Sequence, residues 1–118
     1  MKDFRDLQVW HKAHALTLEI YQHIRGFLKE ESFGLTSQMR RAASSIGANI
    51  AEGCGKEGDT GLAQYMQIAM GSASELEYYL LLACDLHCLD DQAYSTLQGM
   101  AVEVKKMLAS FITAIRKR

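Results

Sequence analysis

The side chains with the most chemical potential in this 118-residue sequence gather around one stretch, Leu35 to Lys56. Arg40 and Arg41 come early in it and Asn49 and Glu52 late; Glu75 and Glu77 stand on the next periodic segment. Guanidinium and carboxylate groups brought together could make an acid–base pair or an anion site. They could equally make a structural network. Glu75 lies on an apolar stripe, and an unpartnered buried charge is very costly. Arginine suits the partner role because its fork grips a carboxylate through two hydrogen bonds. The expectation is a structural polar network of Arg40, Arg41, Asn49, Glu52 and Glu75. In it, Glu75 meets Arg40, Arg41 or Asn49 within the subunit or across an interface. Asn49 ties its helix to a neighbouring one, as buried amides are normally hydrogen-bonded. A remote alternative is a small-molecule or catalytic site around Glu52, Glu75 and Asn49.

Other constellations are thinner. Cys84, His87 and Cys88 share one helical side, and His11 and His14 form a similar pair. A zinc site needs four ligands, or three and a water, so no metal is expected. Cys54 has Lys56 nearby but no histidine or acid assigned to orient it, so no nucleophile is expected there. Gly53-Cys54-Gly55-Lys56 has the look of a phosphate loop. A Walker A motif needs glycine where Ile50 stands and a hydroxyl where Glu57 stands. No cofactor motif is found. Lys105, Lys106, Arg116, Lys117 and Arg118 make the candidate nucleic-acid set. The competing reading is that cations favour a helix C-terminus and solvate an outer face.

These residues need elements to hold them, and the patterning supplies four. Leu35, Met39, Ala43, Ile46 and Ile50 form a helical stripe beside a polar one of Gln38, Ala42, Ser45, Asn49 and Glu52. Small side chains from Ala42 to Ala51 let other helices approach closely, which marks this helix as central. Gly47 predicts a close backbone contact or a kink. Gly53 and Gly55 are expected to end the helix in the left-handed conformation. A first helix starts at Asp6 as N-cap and buries Val9, Ala13, Leu16, Ile20 and Phe27. A second stripe of Trp10, Thr17, Tyr21, Ile24 and Leu28 runs beside that one, and Gly26 frays the end. Lys29 to Gly34 connects onward. Gly53 to Gly61 is a glycine loop.

A third helix runs from Gly61 to Leu86, capped by Asp59 or Thr60. It carries Leu62, Met66, Ala69, Ala73, Leu76, Leu80 and Ala83 on one stripe and Tyr65, Ile68, Ser72, Glu75, Tyr79, Leu82 and Leu86 on another. Tyr78 and Leu81 add a third apolar side, so the helix is either central or covered by another subunit. After His87-Cys88-Leu89, a fourth helix capped by Asp90 or Asp91 has the cleanest amphipathic pattern, through Leu97, Met100, Ala101, Val104, Met107, Leu108, Phe111, Ile112 and Ile115. Four helices joined by mostly short loops predict an all-α, antiparallel up-down-up-down four-helix bundle, one domain over residues 1–118.

Composition narrows the partners. With 13 basic and 14 acidic side chains the net charge is −1, so nucleic acid has no general attraction to the chain. Met1-Lys2-Asp3-Phe4-Arg5 leads straight into helix-starting sequence, no signal peptide is expected, and no apolar run spans a bilayer. Three cysteines without a framework spacing point to a reduced, cytoplasmic protein.

Phe4-Arg5-Asp6-Leu7-Gln8-Val9-Trp10, Gly34 to Ile46, Ala48-Asn49-Ile50-Ala51-Glu52-Gly53 and Ile68 to Glu77 together resemble the 23S rRNA intervening-sequence protein family, also called four helix bundle proteins. The resemblance implies a four-helix bundle that assembles into a ring-like homopentamer. The family is similar in fold to the accessory variability determinant of diversity-generating retroelements, a pentameric barrel that binds a reverse transcriptase and nucleic acid. Where the family has proline between Ile46 and Ala48 this chain has Gly47, and where it has arginine after the glycine turn this chain has Lys56. A second family proline is replaced at or beside Leu28. The functional expectation is a non-enzymatic homo-oligomer, a pentamer, acting as an RNA-associated or accessory protein, with RNA or a nucleic-acid-handling protein as partner. Apolar surface left over on the first and third helices would build the interface. The alternative is a protein-binding adaptor without nucleic acid.

Overall fold

The four periodic segments form four α-helices in the computed structural model, which describes residues 2–27 and 34–118. They are α1 (Gln8–Ile24), α2 (Leu35–Cys54), α3 (Asp59–Asp85) and α4 (Asp91–Arg116), preceded by a single 3-10 turn, Phe4–Asp6. Leu28 and residues 29–33 of the expected connection lie outside the described residues.

Cross-helix contacts fix the direction of each helix. The Lys2 amide donates to the Cys54 carbonyl at 3.1 Å, and Thr17 Oγ1 donates to the Ala43 carbonyl at 3.0 Å. Residue numbers therefore rise along α1 as they fall along α2. Ser45 meets Ser72 at 2.9 Å while Gly53 abuts Tyr65, so α3 reverses again. Lys105 meets Glu77 and Arg118 meets Asp59, which reverses α4. Lys12 to Glu103 at 3.4 Å closes α4 onto α1. Among the described residues each helix touches its two neighbours, while the diagonal pairs, α1 with α3 and α2 with α4, stay apart. The long axis of the molecule, 46 Å, matches α3 at about 1.5 Å per residue.

One core runs through all four helices. Leu16, Ile20, Met39, Ile46, Met66 and Leu76 are among its fully buried side chains. The expected inward stripes of α1, α2 and α3 are buried as far as they lie in helix, with Phe27 half-buried beyond the end of α1; on α4 Met100, Met107 and Phe111 of the expected stripe are only half-buried. Gly47 packs against the Trp10 indole, and a Cβ there would stand 3.4 Å from Nε1. That is an ordinary contact distance to a side chain, so no close backbone approach requires glycine here, and α2 runs unbroken past it.

Several boundaries differ from expectation for local reasons. Asp6 is not the cap of α1. Phe4 turns in to pack on Trp10, with ring centroids 4.9 Å apart, and the chain winds a 3-10 turn first. That turn is capped by Asp3, which accepts from the Arg5 amide at 2.9 Å, and Leu7 then starts α1 without a side-chain cap. Gly53 is not a terminator either. It lies buried in the last turn of α2, where a Cβ would come within 2.9 Å of Tyr65 Cβ. Gly55 caps α2 with φ −81°, and the positive φ falls on Gly58, at 83°. The expected glycine loop shrinks accordingly, because Asp59 and Thr60 already belong to the first turn of α3 and neither caps it. Asp90 caps α4 as expected, accepting from the Ala93 amide at 2.7 Å.

Candidate functional site

The set Arg40, Arg41, Asn49, Glu52 and Glu75 does not knit together within one subunit. The line buried on α3 passes through Leu76 and Leu80, and this turns Glu75 outward to solvent. No buried charge is then left to neutralise. Glu75 accepts from Tyr79 Oη at 3.3 Å, Arg41 donates to Gln38, and the Arg40 guanidinium lies 5.7 Å from the Tyr21 ring centroid. Burial, then the Glu75 charge and hydrogen bond, push the Tyr79 hydroxyl above its ordinary pKa. Asn49 does not itself tie α2 to a neighbouring helix; it bonds within α2 to Ser45, and Ser45 makes the α2–α3 contact. The Asn49 amide donates to the Ser45 carbonyl at 2.8 Å and to Ser45 Oγ at 2.9 Å, and Ser45 Oγ in turn meets Ser72 Oγ. The sequence reading missed this serine pair. Its signal was there: Ser45 stands one turn from Asn49 on the polar stripe, and Ser72 is the small polar member of the α3 stripe that faces it. Asn49 and Glu75 make separate local contacts, with Ser45 and with Tyr79, and among the described residues no hydrogen bond joins Glu52 to either.

The basic set divides. Lys105 Nζ is bound to Glu77 Oε1 at 2.8 Å in a half-buried bridge from α4 to α3. Arg118 leans toward Asp59 at 3.7 Å. Lys106, Arg116 and Lys117 are exposed and form no ion pair among the described residues. Arg116 and Arg118 border an open cleft of about 770 Å³ between the start of α3 and the end of α4, whose other walls include Thr60, Gln64, Gln67 and Ile68.

The cysteines and histidines stay apart. Cys54 is buried at the end of α2, not in a flexible loop, and burial raises its pKa. A thiolate nucleophile is disfavoured there. Burial and the carboxylates of Asp91 and Asp85 raise the pKa of Cys84. His87 turns to φ 64°, and the amides of His87 and Cys88 bond back to the carbonyls of Cys84 at 3.0 Å and Ala83 at 2.8 Å. This double bond pattern closes the C-terminus of α3. His14 stacks on Trp10 at 4.8 Å and 9°, and His11 Nε2 bonds to the Arg5 carbonyl. Among the described residues, no three histidine, cysteine or acidic side chains stand where one ion could be held.

The most prominent unsatisfied feature is apolar. Leu18 and Tyr21 on α1, Ile68, Tyr78 and Leu81 on α3, and Leu86 just beyond it are large hydrophobic side chains left in solvent, with Leu18 59% and Tyr78 58% exposed. The third apolar side expected of α3 is therefore real, and it remains open in the single chain. Among the described residues no helix is long and apolar enough to cross a membrane.

Comparison with known proteins adds three findings. No curated protein matches the chain. Among solved structures, a protein of unknown function from the S23 ribosomal protein family of Bacteroides thetaiotaomicron superposes with a TM-score of 0.83 at 26% identity, covering 89% of this chain and 95% of that one. The family model described as 23S rRNA-intervening sequence protein matches residues 5–110, from the 3-10 turn well into α4. With that match over most of its length, the chain belongs to the 23S rRNA-intervening sequence protein family.

Proposed function

We propose that the protein works without catalysis, as a cytoplasmic homo-oligomer, a pentamer by its family resemblance, that serves as an accessory subunit on RNA. The observation that carries the reading is the exposed apolar surface of α1 and α3. Scattered single hydrophobics on a surface mean little, but pairs three residues apart on one helical face, Leu18 with Tyr21 and Tyr78 with Leu81, mark an interaction site. In an oligomer, Arg116, Lys117 and Arg118 recur once per subunit, so a modest patch gains strength through multivalency. Sedimentation or light scattering at micromolar concentration tests the assembly: a particle of several times 13.2 kDa is expected, and a monomer overturns the reading. Titration with single-stranded RNA at rising salt tests the second half, since phosphate contacts weaken steeply as salt rises.

A second reading is a protein-binding adaptor without nucleic acid. One observation favours it: Lys105 and Arg118 face acids of their own chain, which subtracts two cations from the RNA-facing set. An assembled protein that ignores RNA at low salt would select this reading.

A further inference from the structure

We propose that copies of this chain join head to tail, with the outward face of α1 on one copy lying parallel against the outward face of α3 on the next. This rests on the self-assembly reading and names the surfaces that carry it.

Heights along the bundle support the pairing. Thr17 bonds to Ala43, and Ser45, two residues on, bonds to Ser72. Because α2 and α3 are antiparallel, Ala43 stands level with about residue 74, and so does Thr17. Nearer the other end, Trp10 packs on Gly47, and Gly53 on Tyr65, which puts Trp10 level with about residue 71. Residues of α1 and α3 about sixty apart in sequence therefore lie at one height. As the diagonal pair, these two helices run in the same direction and face away from each other.

The exposed positions obey the same offset. They include His11, His14, Leu18 and Tyr21 on α1 with Arg25 just past its end, and Gly71, Ser74, Tyr78, Leu81 and Asp85 on α3. Both lines step by three, four, three and four residues, the spacing of a parallel coiled-coil seam. Level pairing sets Leu18 against Tyr78 and Tyr21 against Leu81, so four of the exposed hydrophobics cover one another. It sets His11 over Gly71, where even a Cβ would meet nothing within 4 Å, leaving room for the ring. It sets Arg25 against Asp85. Charge agrees along the two lines: that of α1 has Arg25 and no acid, and that of α3 has Asp85 and no lysine or arginine. Two different patches on opposite sides of a subunit give a heterologous contact, which makes rings when its rotation closes and helical filaments when it does not. Contacts at one height leave no rise from copy to copy, which is the condition a closed ring must meet.

Cross-linking tests the seam. Leu18→Cys combined with Tyr78→Cys, mildly oxidised, is expected to give a covalent ladder ending in one closed species on a non-reducing gel. The parent chain and each single variant should remain uncross-linked. Both sites are exposed, so folding is retained, and circular dichroism checks this. Dimers from Tyr78→Cys alone would mean that α3 meets α3, and would overturn the proposal. Light scattering that finds an oligomer while the double variant gives no ladder overturns this seam and leaves self-assembly standing. A monomeric parent chain removes both. Separately, Arg25→Asp should weaken association about fivefold, the upper range for an exposed ion pair, and adding Asp85→Arg should restore it. Failure of that rescue counts against the register.

Discussion

α3 and α4 are near twins in length, 27 and 26 residues, and they are neighbours in the bundle. They solve the problem of apolar surface in opposite ways. α4 hides its apolar side chains along one line, Leu97, Ala101, Val104, Leu108, Ile112 and Ile115, and leaves no large hydrophobic exposed. α3 buries its own line just as fully and still carries Ile68, Tyr78 and Leu81 in solvent. α4 mixes acids with Lys105, Lys106 and Arg116, whereas the few charges on α3 are all acids. A helix that is amphipathic once is finished by its own fold. One that is apolar on two sides is finished by something else. The contrast locates the functional surface better than any cluster of polar residues does.

The sharpest way to break the contrast is to exchange inward and outward positions. Leu108→Ala on α4 removes a fully buried side chain and should cost about 2–5 kcal/mol, read as a drop in the urea midpoint. Tyr78→Lys on α3 should change protomer stability by no more than about 0.5 kcal/mol. It should instead reduce the particle mass in light scattering to that of one chain. If Tyr78→Lys unfolds the protein, or leaves its mass unchanged, the two helices do not differ in the way argued.

Gly53→Ala comes next. The new methyl would sit 2.9 Å from Tyr65 Cβ, and relieving that clash means moving α2 from the start of α3, at about 1–3 kcal/mol. Thermal melts check it. A variant as stable as the parent would mean that the thin end of α2 does not set the distance to α3.

Which parts could be read from the sequence follows from the range of the forces involved. Inward stripes depend on residue spacing alone, so Met39, Ile46, Met66 and Leu108 were identifiable as core. Helix ends depend on a few local contacts. Phe4 packing on Trp10 moved the start of α1 away from Asp6, and Tyr65 kept Gly53 inside α2. Within one subunit the polar set is kept apart by a rotation of a fraction of a turn: Glu75 sits beside Leu76, and a small turn of α3 decides whether it is buried or wet. The same logic hid the bridge from Lys105 to Glu77, because a charge at a helix edge gives no sequence sign of being paired. The apolar excess of α3 was legible because a surplus of hydrophobic side chains survives any rotation.

Two open glycines divide the twins at a smaller scale. Gly71 on α3 and Gly99 on α4 each face free space. Alanine in an exposed helix interior gains about 0.8–1 kcal/mol over glycine. Both Gly71→Ala and Gly99→Ala should therefore raise the melting temperature of the protomer. Only Gly71 lies on the proposed seam, under His11 of the next copy, so only Gly71→Ala should loosen assembly, as measured by sedimentation across a dilution series. Equal behaviour of the two variants would erase the distinction between the faces.

The smallest effect belongs to the turn that joins the twins. His87 ends α3 in the left-handed region, where a side chain is strained and glycine is not. The amide bonds of His87 and Cys88 back onto α3 involve no side-chain atoms, so they survive the substitution. His87→Gly relieves the strain but gives the unfolded chain more freedom, and the two effects partly cancel. A net stabilisation of up to about 1 kcal/mol is expected, read from the urea midpoint with assembly unchanged. The exposed ring faces none of the proposed interface. If His87→Gly destabilises the protein or alters its mass, the histidine has a role at that end of the bundle, and the outward face of α3 would have to extend beyond Asp85 to include it.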